Sequence, residues 1–267
     1  METSSHAGDG AGPLKRAVAL LRLLATAGRR GVALTALARA TGLPNSTVHR
    51  LLLQLLDERL ATQLADSRRY AIGPLAYELG LAAALQFDIR GLCRPVIEQL
   101  ARDAGETVYL VLRSGDEAVC VDLVEGPSAV RVVTLQIGSR RPLGLGAGGL
   151  AILAALPEDE AARLVPRVRE RVEREGGFPE SVLRASLHEA RRAGYALIRN
   201  RINPGITAVG YGFRDSLGRV LGGVTVAGVN ARMNEAYLAE HRRRLKLASS
   251  ALEHALRGQH WVRVVDS

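Results

Sequence analysis

The run Ser46–Thr47–Val48–His49–Arg50 carries side chains suited to reading DNA. Serine, threonine and histidine hydrogen-bond to base edges, and an arginine can grip one guanine through two parallel bonds. Placed on a helix that starts at Pro44 and turns about 100° per residue, Val48, Leu51, Leu52 and Leu55 form one apolar stripe. Ser46 and Arg50 then point away from that stripe, with Thr47 and His49 on its flanks. Asn45 stands at the helix start, where free backbone amides favour phosphate. Arg68 ends a short turn between two β-type runs and Arg69 opens the second run, both at a wing tip placed to meet phosphates or a minor groove. Leu53 falls on the outward face, where a residue touching DNA should be polar. A solvated helix face beside a surface hairpin would show the same pattern.

Other chemistries find less support. Gly144, Gly146 and Gly149 satisfy G-x-G-x-x-G. A dinucleotide fingerprint must follow a parallel strand and place an acid about 20 residues on, at a second strand end. Here Arg140–Arg141–Pro142 precedes the glycines, and the next acids, Glu158, Asp159 and Glu160, open a helix. The glycines can still let backbone amides approach an anionic ligand at a helix start. Cys93 and Cys120 have no neighbouring histidine, and no G-x-S-x-G elbow occurs. Cys120, in a Val-rich run, reads as core. The six histidines, His6, His49, His188, His241, His254 and His260, lack metal-ligand spacing. The expectation is no catalytic residue, no metal and no cofactor. The rival reading, a small-molecule-binding enzyme with an accessory helix-turn-helix, would need a nucleophile or acid/base pair in the C-terminal half, and none stands out.

These residues need elements to hold them. Pro13 opens an amphipathic helix carrying Leu14, Ala17, Val18, Leu21 and Leu24. A short helix, Leu34–Ala40, ends at Thr41–Gly42, and the helix from Pro44 follows. Thr62–Leu64 and Arg69–Ile72 read as a hairpin, then Leu75–Phe87 as a connecting helix. A helix over Pro95–Arg102 precedes three β-rich runs, Thr107–Arg113, Ala118–Val124 and Val130–Leu135. Helices over Ala147–Leu156, Glu158–Glu173 and Ser181–Ala193 come next. Strands Tyr195–Arg199, Ile206–Phe213 and Arg219–Val226 and a closing helix, Asn234–Arg257, complete the chain. Strands in blocks around helices predict α+β with an antiparallel sheet. The expected division is a flexible 1–12, a winged helix-turn-helix over 13–74, a linker helix over 75–89, a second domain over 90–258 and a tail over 259–267.

The bulk numbers agree. Of 36 basic and 27 acidic residues, ten and five fall in residues 1–75, so that segment holds +5 of the net +9. Such a surplus points to a polyanionic partner. Two cysteines make no disulfide framework, and the first dozen residues contain no apolar signal core. No apolar run is long enough to span a bilayer, so a cytoplasmic protein with no membrane partner is expected.

The stretch from Leu34 to Leu52, with Ala38–Arg39–Ala40–Thr41–Gly42–Leu43–Pro44 at its centre, resembles the DNA-binding domain of IclR-type bacterial transcriptional regulators. Arg69–Tyr70–Ala71–Ile72–Gly73–Pro74 is similar to that family's wing exit. Gly105–Glu106–Thr107–Val108, Gly138–Ser139–Arg140–Arg141–Pro142–Leu143, Ala193–Gly194–Tyr195 and Pro204–Gly205–Ile206 resemble its effector domain. The resemblance spans about residues 13–258. It implies a GAF-like effector domain, operator DNA as partner, and a homodimer built through the first and linker helices, often paired into tetramers. It also implies an effector pocket formed by Gly144–Gly149, Pro204–Val209 and Val224–Ala227.

Within those segments the candidate effector residues are Gly146, Ala147, Gly148, Gly149, Thr207, Ala208, Thr225 and Ala227. The chain departs from the family where polar pocket residues are usual. Gly144–Leu145–Gly146–Ala147 replaces a His-Ala-Thr run, Thr207–Ala208 an Arg-Cys or Arg-Ser pair, and Thr225–Val226–Ala227 a Ser-x-Ser. A small, highly polar acid would leave hydrogen bonds unmade in such a site. The expected ligand is a bulkier, partly apolar organic acid, aromatic or branched. Its carboxylate would rest on amides near Ala147–Gly149, helped by Arg140 or Arg141.

Overall fold

The computed structural model describes residues 12–84, 88–130 and 132–257. The flexible start and the tail expected at 259–267 lie outside the described residues, apart from Gly12. The chain divides between Phe87 and Asp88 into two compact units.

The first unit contains α1 (Pro13–Ala25), a 3-10 turn (Gly28–Arg30), α2 (Leu34–Thr41), α3 (Asn45–Asp57), β1 (Ala61–Gln63), β2 (Tyr70–Ile72) and α4 (Pro74–Ala84). Leu20, Leu24, Leu37, Val48, Leu52 and Leu55 make its core. The 3.6-residue periodicity fixes the inward face of α3, but on α1 Leu14 and Val18 of the expected stripe are exposed and Leu20, outside it, is buried. Gly42, at φ +69°, ends α2 in the left-handed region, and Pro44 caps α3 rather than opening it. β1 and β2 pair antiparallel with Ala61 opposite Ile72, and Val32 adds a single bridge to Tyr70. None of the side chains of α4 is buried. Tyr77, Leu79 and Leu81 are more than half exposed. Residues 85–87 of the expected linker helix are outside the described residues.

The second unit contains α5 (Ile89–Ala104), β3 (Thr107–Ser114), β4 (Glu117–Val124), β5 (Arg140–Pro142), α6 (Ala147–Ala155), α7 (Glu158–Gly176), α8 (Glu180–Ala193), β6 (Ala196–Arg199), β7 (Ile206–Arg214), β8 (Val220–Val229) and α9 (Glu235–Ala255). One antiparallel sheet runs in the order β5-β4-β3-β8-β7-β6. One face carries α6, α7 and α8 over a core that includes Leu150, Leu153, Val165 and Leu183. The other carries α5 and α9 over Ile97, Leu110, Val224 and Leu245.

Close approach of helix to sheet needs glycine here. A Cβ on Gly210 would lie 2.6 Å from Ala147 O, and one on Gly223 would lie 2.8 Å from Gly148 O. The start of α6 thus rests against bare backbone of β7 and β8. At Val121 the pairing with β3 slips by one residue, and Asp122 faces Arg94 and Arg90 of α5.

One expected strand is absent. Residues 130 and 132–135 are irregular, and the edge of β4 is taken instead by β5. Tyr109 holds the segment in place: its hydroxyl donates to Val132 O at 2.5 Å and accepts from Thr134 N at 2.8 Å. Val132 and Tyr109 are buried, whereas Val130 and Val133 are more than half exposed. The Tyr109 hydroxyl, rather than a neighbouring strand, takes the segment's backbone groups, which makes it a strap and not a strand.

Candidate functional site

In the first unit Asn45, Ser46, His49 and Arg50 of α3 are exposed, Thr47 is half-buried, and Val48 beneath them is fully buried. Among the described residues no side chain caps the amides at the start of α3, which leaves them open to a phosphate. Leu53 is 46% exposed on the same outward side, as the helical wheel requires. Arg68 and Arg69 are both exposed at the β1–β2 hairpin, where Arg68 adopts a φ of +52° and Gln63 Nε2 donates to its carbonyl. Among the described residues no carboxylate pairs with Arg50, Arg68 or Arg69.

In the second unit a cavity of about 60 Å³ opens beneath the strap. Gly146, Ala147, Gly148 and Gly149 line it from α6, Ala208 from β7, and Thr225 and Ala227 from β8. Thr207 corrects the expectation. It is fully buried but faces the other side of the sheet, where its hydroxyl donates to Asn230 Oδ1 at 2.6 Å. Successive strand residues point to opposite faces, so Ala208 and Thr207 cannot share a pocket.

The adjacent arginines separate in the same way. Arg140 turns outward to Glu117 at 2.7 Å. Burial alone would raise the Glu117 pKa, but hydrogen bonds from Arg171 and Arg140 hold it below the ordinary value. Arg141 turns inward and lines the cavity, where its guanidinium donates to Thr134 O at 3.0 Å. Burial pushes its pKa down, and it forms no ion pair among the described residues. A Cβ on Gly146 would lie 3.6 Å from Arg141 Nη1, so this cation sits beside the start of α6. Among the described residues no side chain caps that helix start. Deeper in, Thr225 Oγ1 is buried close to Gly148 and, among the described residues, has no hydrogen-bond partner.

The geometry excludes a dinucleotide fingerprint at the glycine run. The strand before α6 is the antiparallel edge β5, whereas that motif needs a parallel crossover. What remains is an apolar cavity with a few converging polar groups.

A family model described as the IclR helix-turn-helix domain matches residues 13–65. A second, described as bacterial transcriptional regulator IclR C-terminal, matches residues 81–254. The chain belongs to the IclR family of bacterial transcriptional regulators. It is 31% identical over 223 residues to the HTH-type transcriptional regulator KipR of Bacillus subtilis, across 82% of this chain and 87% of that one. The fold matches that of a putative IclR transcriptional regulator from a Silicibacter species, with a TM-score of 0.77 at 24% identity over 92% and 96% of the two chains. It also matches an IclR homologue from Microbacterium hydrocarbonoxydans solved in complex with 4-hydroxybenzoate. That TM-score is 0.69 at 21% identity, over 92% of this chain and 99% of the other.

This IclR-type protein is therefore a DNA-binding transcriptional regulator, and these relatives are regulators rather than enzymes. Among its described residues no helix is long and apolar enough to cross a membrane. Tyr109 and Asn203 are cavity residues that escaped the sequence reading. Tyr109 stands alone as a polar-tipped aromatic in a Val-rich strand, a weak signal that the strap needed an anchor. Asn203 sits in a connection with no periodicity to read.

Proposed function

We propose that this regulator binds operator DNA as a homodimer in the cytoplasm, and that a partly apolar carboxylate in the cavity adjusts its affinity for DNA. On this reading Ser46, Thr47, His49 and Arg50 meet base edges, while Asn45, Arg68 and Arg69 meet the backbone. Exposed Leu14 on α1, at 77%, and Tyr77, Leu79 and Leu81 on α4 supply apolar surface for a two-fold pairing that presents two recognition helices together.

The observation that carries the effector is Arg141, a half-buried cation without a carboxylate partner inside an apolar cavity. An unpaired charge drawn out of water is costly, and an anionic ligand removes that cost. The carboxylate would take Arg141 and the free amides of Ala147 and Gly148. The apolar body would lie against Ala208 and Ala227, and a second polar group would meet Thr225. The 4-hydroxybenzoate held by the Microbacterium relative is an acid of this kind.

Calorimetric titration with aromatic, branched and two- or three-carbon carboxylates tests the reading, using wild type and Arg141→Gln. An aromatic or branched acid should bind the wild type and lose on the order of tenfold or more in Arg141→Gln, the scale of one charge-assisted hydrogen bond. Tight binding of only a small polar acid, or of none, overturns it.

A further inference from the structure

Val32 N donates to Tyr70 O at 2.7 Å, and Tyr70 N donates to Val32 O at 2.8 Å. This two-way bridge stitches the segment between α1 and α2 to the outer edge of β2. The approach is tight at Gly31, where a Cβ would lie 2.9 Å from Tyr70 O and 3.2 Å from Arg69 Cβ. Arg29 and Arg30, next to Gly31 in the chain, are thereby brought beside the hairpin that carries Arg68 and Arg69. All four are exposed. Among the described residues none of the four guanidinium groups pairs with a carboxylate. Asp66, the acid in the hairpin turn, is exposed and, among the described residues, in no ion pair. Arg68 moreover occupies a left-handed backbone conformation that favours glycine or asparagine over arginine.

A cluster of like charges without internal neutralisation repels itself, and a regularly spaced polyanion reverses that repulsion. Each phosphate neutralised also releases condensed counterions, which gives the interaction a measurable salt signature. We propose that Arg29 and Arg30 join Arg68 and Arg69 in a four-arginine clamp on the DNA phosphate backbone. The clamp supplies affinity without reading sequence. It rests on the DNA binding of the first unit and not on the effector reading. Discrimination among bases stays with α3, because phosphate contacts position a protein and base contacts specify the site.

The test uses the full chain with Arg29→Ala/Arg30→Ala and Arg29→Lys/Arg30→Lys. Fluorescence anisotropy follows binding to the DNA upstream of the protein's own gene and to a scrambled duplex of equal composition. Measured between about 50 and 200 mM salt, the alanine pair should flatten the log–log slope by about 0.9 for each phosphate it no longer neutralises. Affinity for the two duplexes should fall by the same factor, on the order of tenfold or more at low salt, so that their ratio holds. The lysine pair, which keeps the charge, should retain the wild-type slope. Single alanine variants, checked for an unchanged melting curve, replace the double variant if it misfolds.

An unchanged slope with wild-type binding intact overturns the clamp alone. So does a drop confined to the upstream duplex, which would make these arginines readers of sequence. A wild type that shows no salt-dependent binding to either duplex overturns both the clamp and the DNA binding it rests on.

Discussion

Two sets of arginines, one in each unit, are used in opposite ways. In the second unit, Arg94 pairs with Asp122, Arg113 with Glu160, Arg171 with Glu117 and Arg232 with Glu106, so these guanidinium groups hold one element to another. In the first, Arg29, Arg30, Arg50, Arg68 and Arg69 are exposed and, among the described residues, unpaired. Paired charges contribute to folding, whereas unpaired charges at a surface add little to stability and leave an electrostatic potential for a partner. Arg141 belongs to neither set. It is drawn into the interior, yet among the described residues it has no carboxylate partner, as is true of those exposed arginines of the first unit. The contrast separates arginines that build the protein from arginines that await an anion.

The largest effect should come from breaking a building pair. Glu106 is 1% exposed and receives two bonds from Arg232, at 2.6 and 2.8 Å. Glu106→Gln should cost about 3 kcal/mol in chemical denaturation, at the lower end for such pairs because Arg232 remains partly hydrated. Arg50→Ala in the same assay should stay within about 0.5 kcal/mol of wild type. If Arg50→Ala proved the more damaging to folding, the division between the units would fail.

Acid should also act on the second unit. His241 is fully buried, packed edge-on against Tyr237, and among the described residues neither ring nitrogen has a hydrogen-bond partner. Burial and then nearby Arg244 push its pKa down to about 4, against the opposing pull of Glu106 and Glu240. Between the unfolded value near 6.5 and the folded value near 4, the unfolded chain binds the extra proton. Stability therefore falls as pH drops through that window, by as much as about 3 kcal/mol at its foot. Denaturant midpoints of wild type and His241→Leu, compared from pH 7 to pH 4, check this. The leucine variant should show the shallower fall.

On the DNA side, Arg50→Ala should cost roughly 1–3 kcal/mol on the operator if Arg50 grips a base. Wild-type affinity from a correctly folded variant would remove Arg50 from the interface. The smallest effect is expected at Thr225, whose hydroxyl is buried and unpaired. Thr225→Val should raise the melting stability of the free protein by about 1 kcal/mol, since it deletes an unsatisfied polar group. The same change should weaken ligand binding, which calorimetry resolves.

Much of this division is legible in the sequence alone. The stripe of Val48, Leu51, Leu52 and Leu55 sets the outward face of α3, because a helix buried on one side writes its period into the sequence. The glycine run at 144–149 points to close backbone approach, and the sheet does come within van der Waals reach of Gly148. The phase of β7 is not legible. Its sheet is covered by helices on both faces, so Thr207 and Ala208 are both surrounded by protein and no polar–apolar alternation tells them apart. Val130–Leu135 has strand composition, but its backbone groups are taken by the Tyr109 hydroxyl, a partner that lies elsewhere in the chain and cannot be read from the segment. The neighbourhood of Arg30 and Arg69 depends on one bridge between distant parts of the chain, which leaves no periodic trace.

The most direct test of the account joins its two kinds of waiting arginine in one experiment. Anisotropy measures affinity for the upstream DNA with and without each carboxylate of the panel, in wild type and in Arg141→Gln. At least one aromatic or branched acid should shift the wild-type affinity, by about 5- to 150-fold if the coupling has the usual strength. The same acid should leave Arg141→Gln unmoved while that variant binds DNA normally. An equal shift in both proteins, or none in the wild type with any acid, would contradict it.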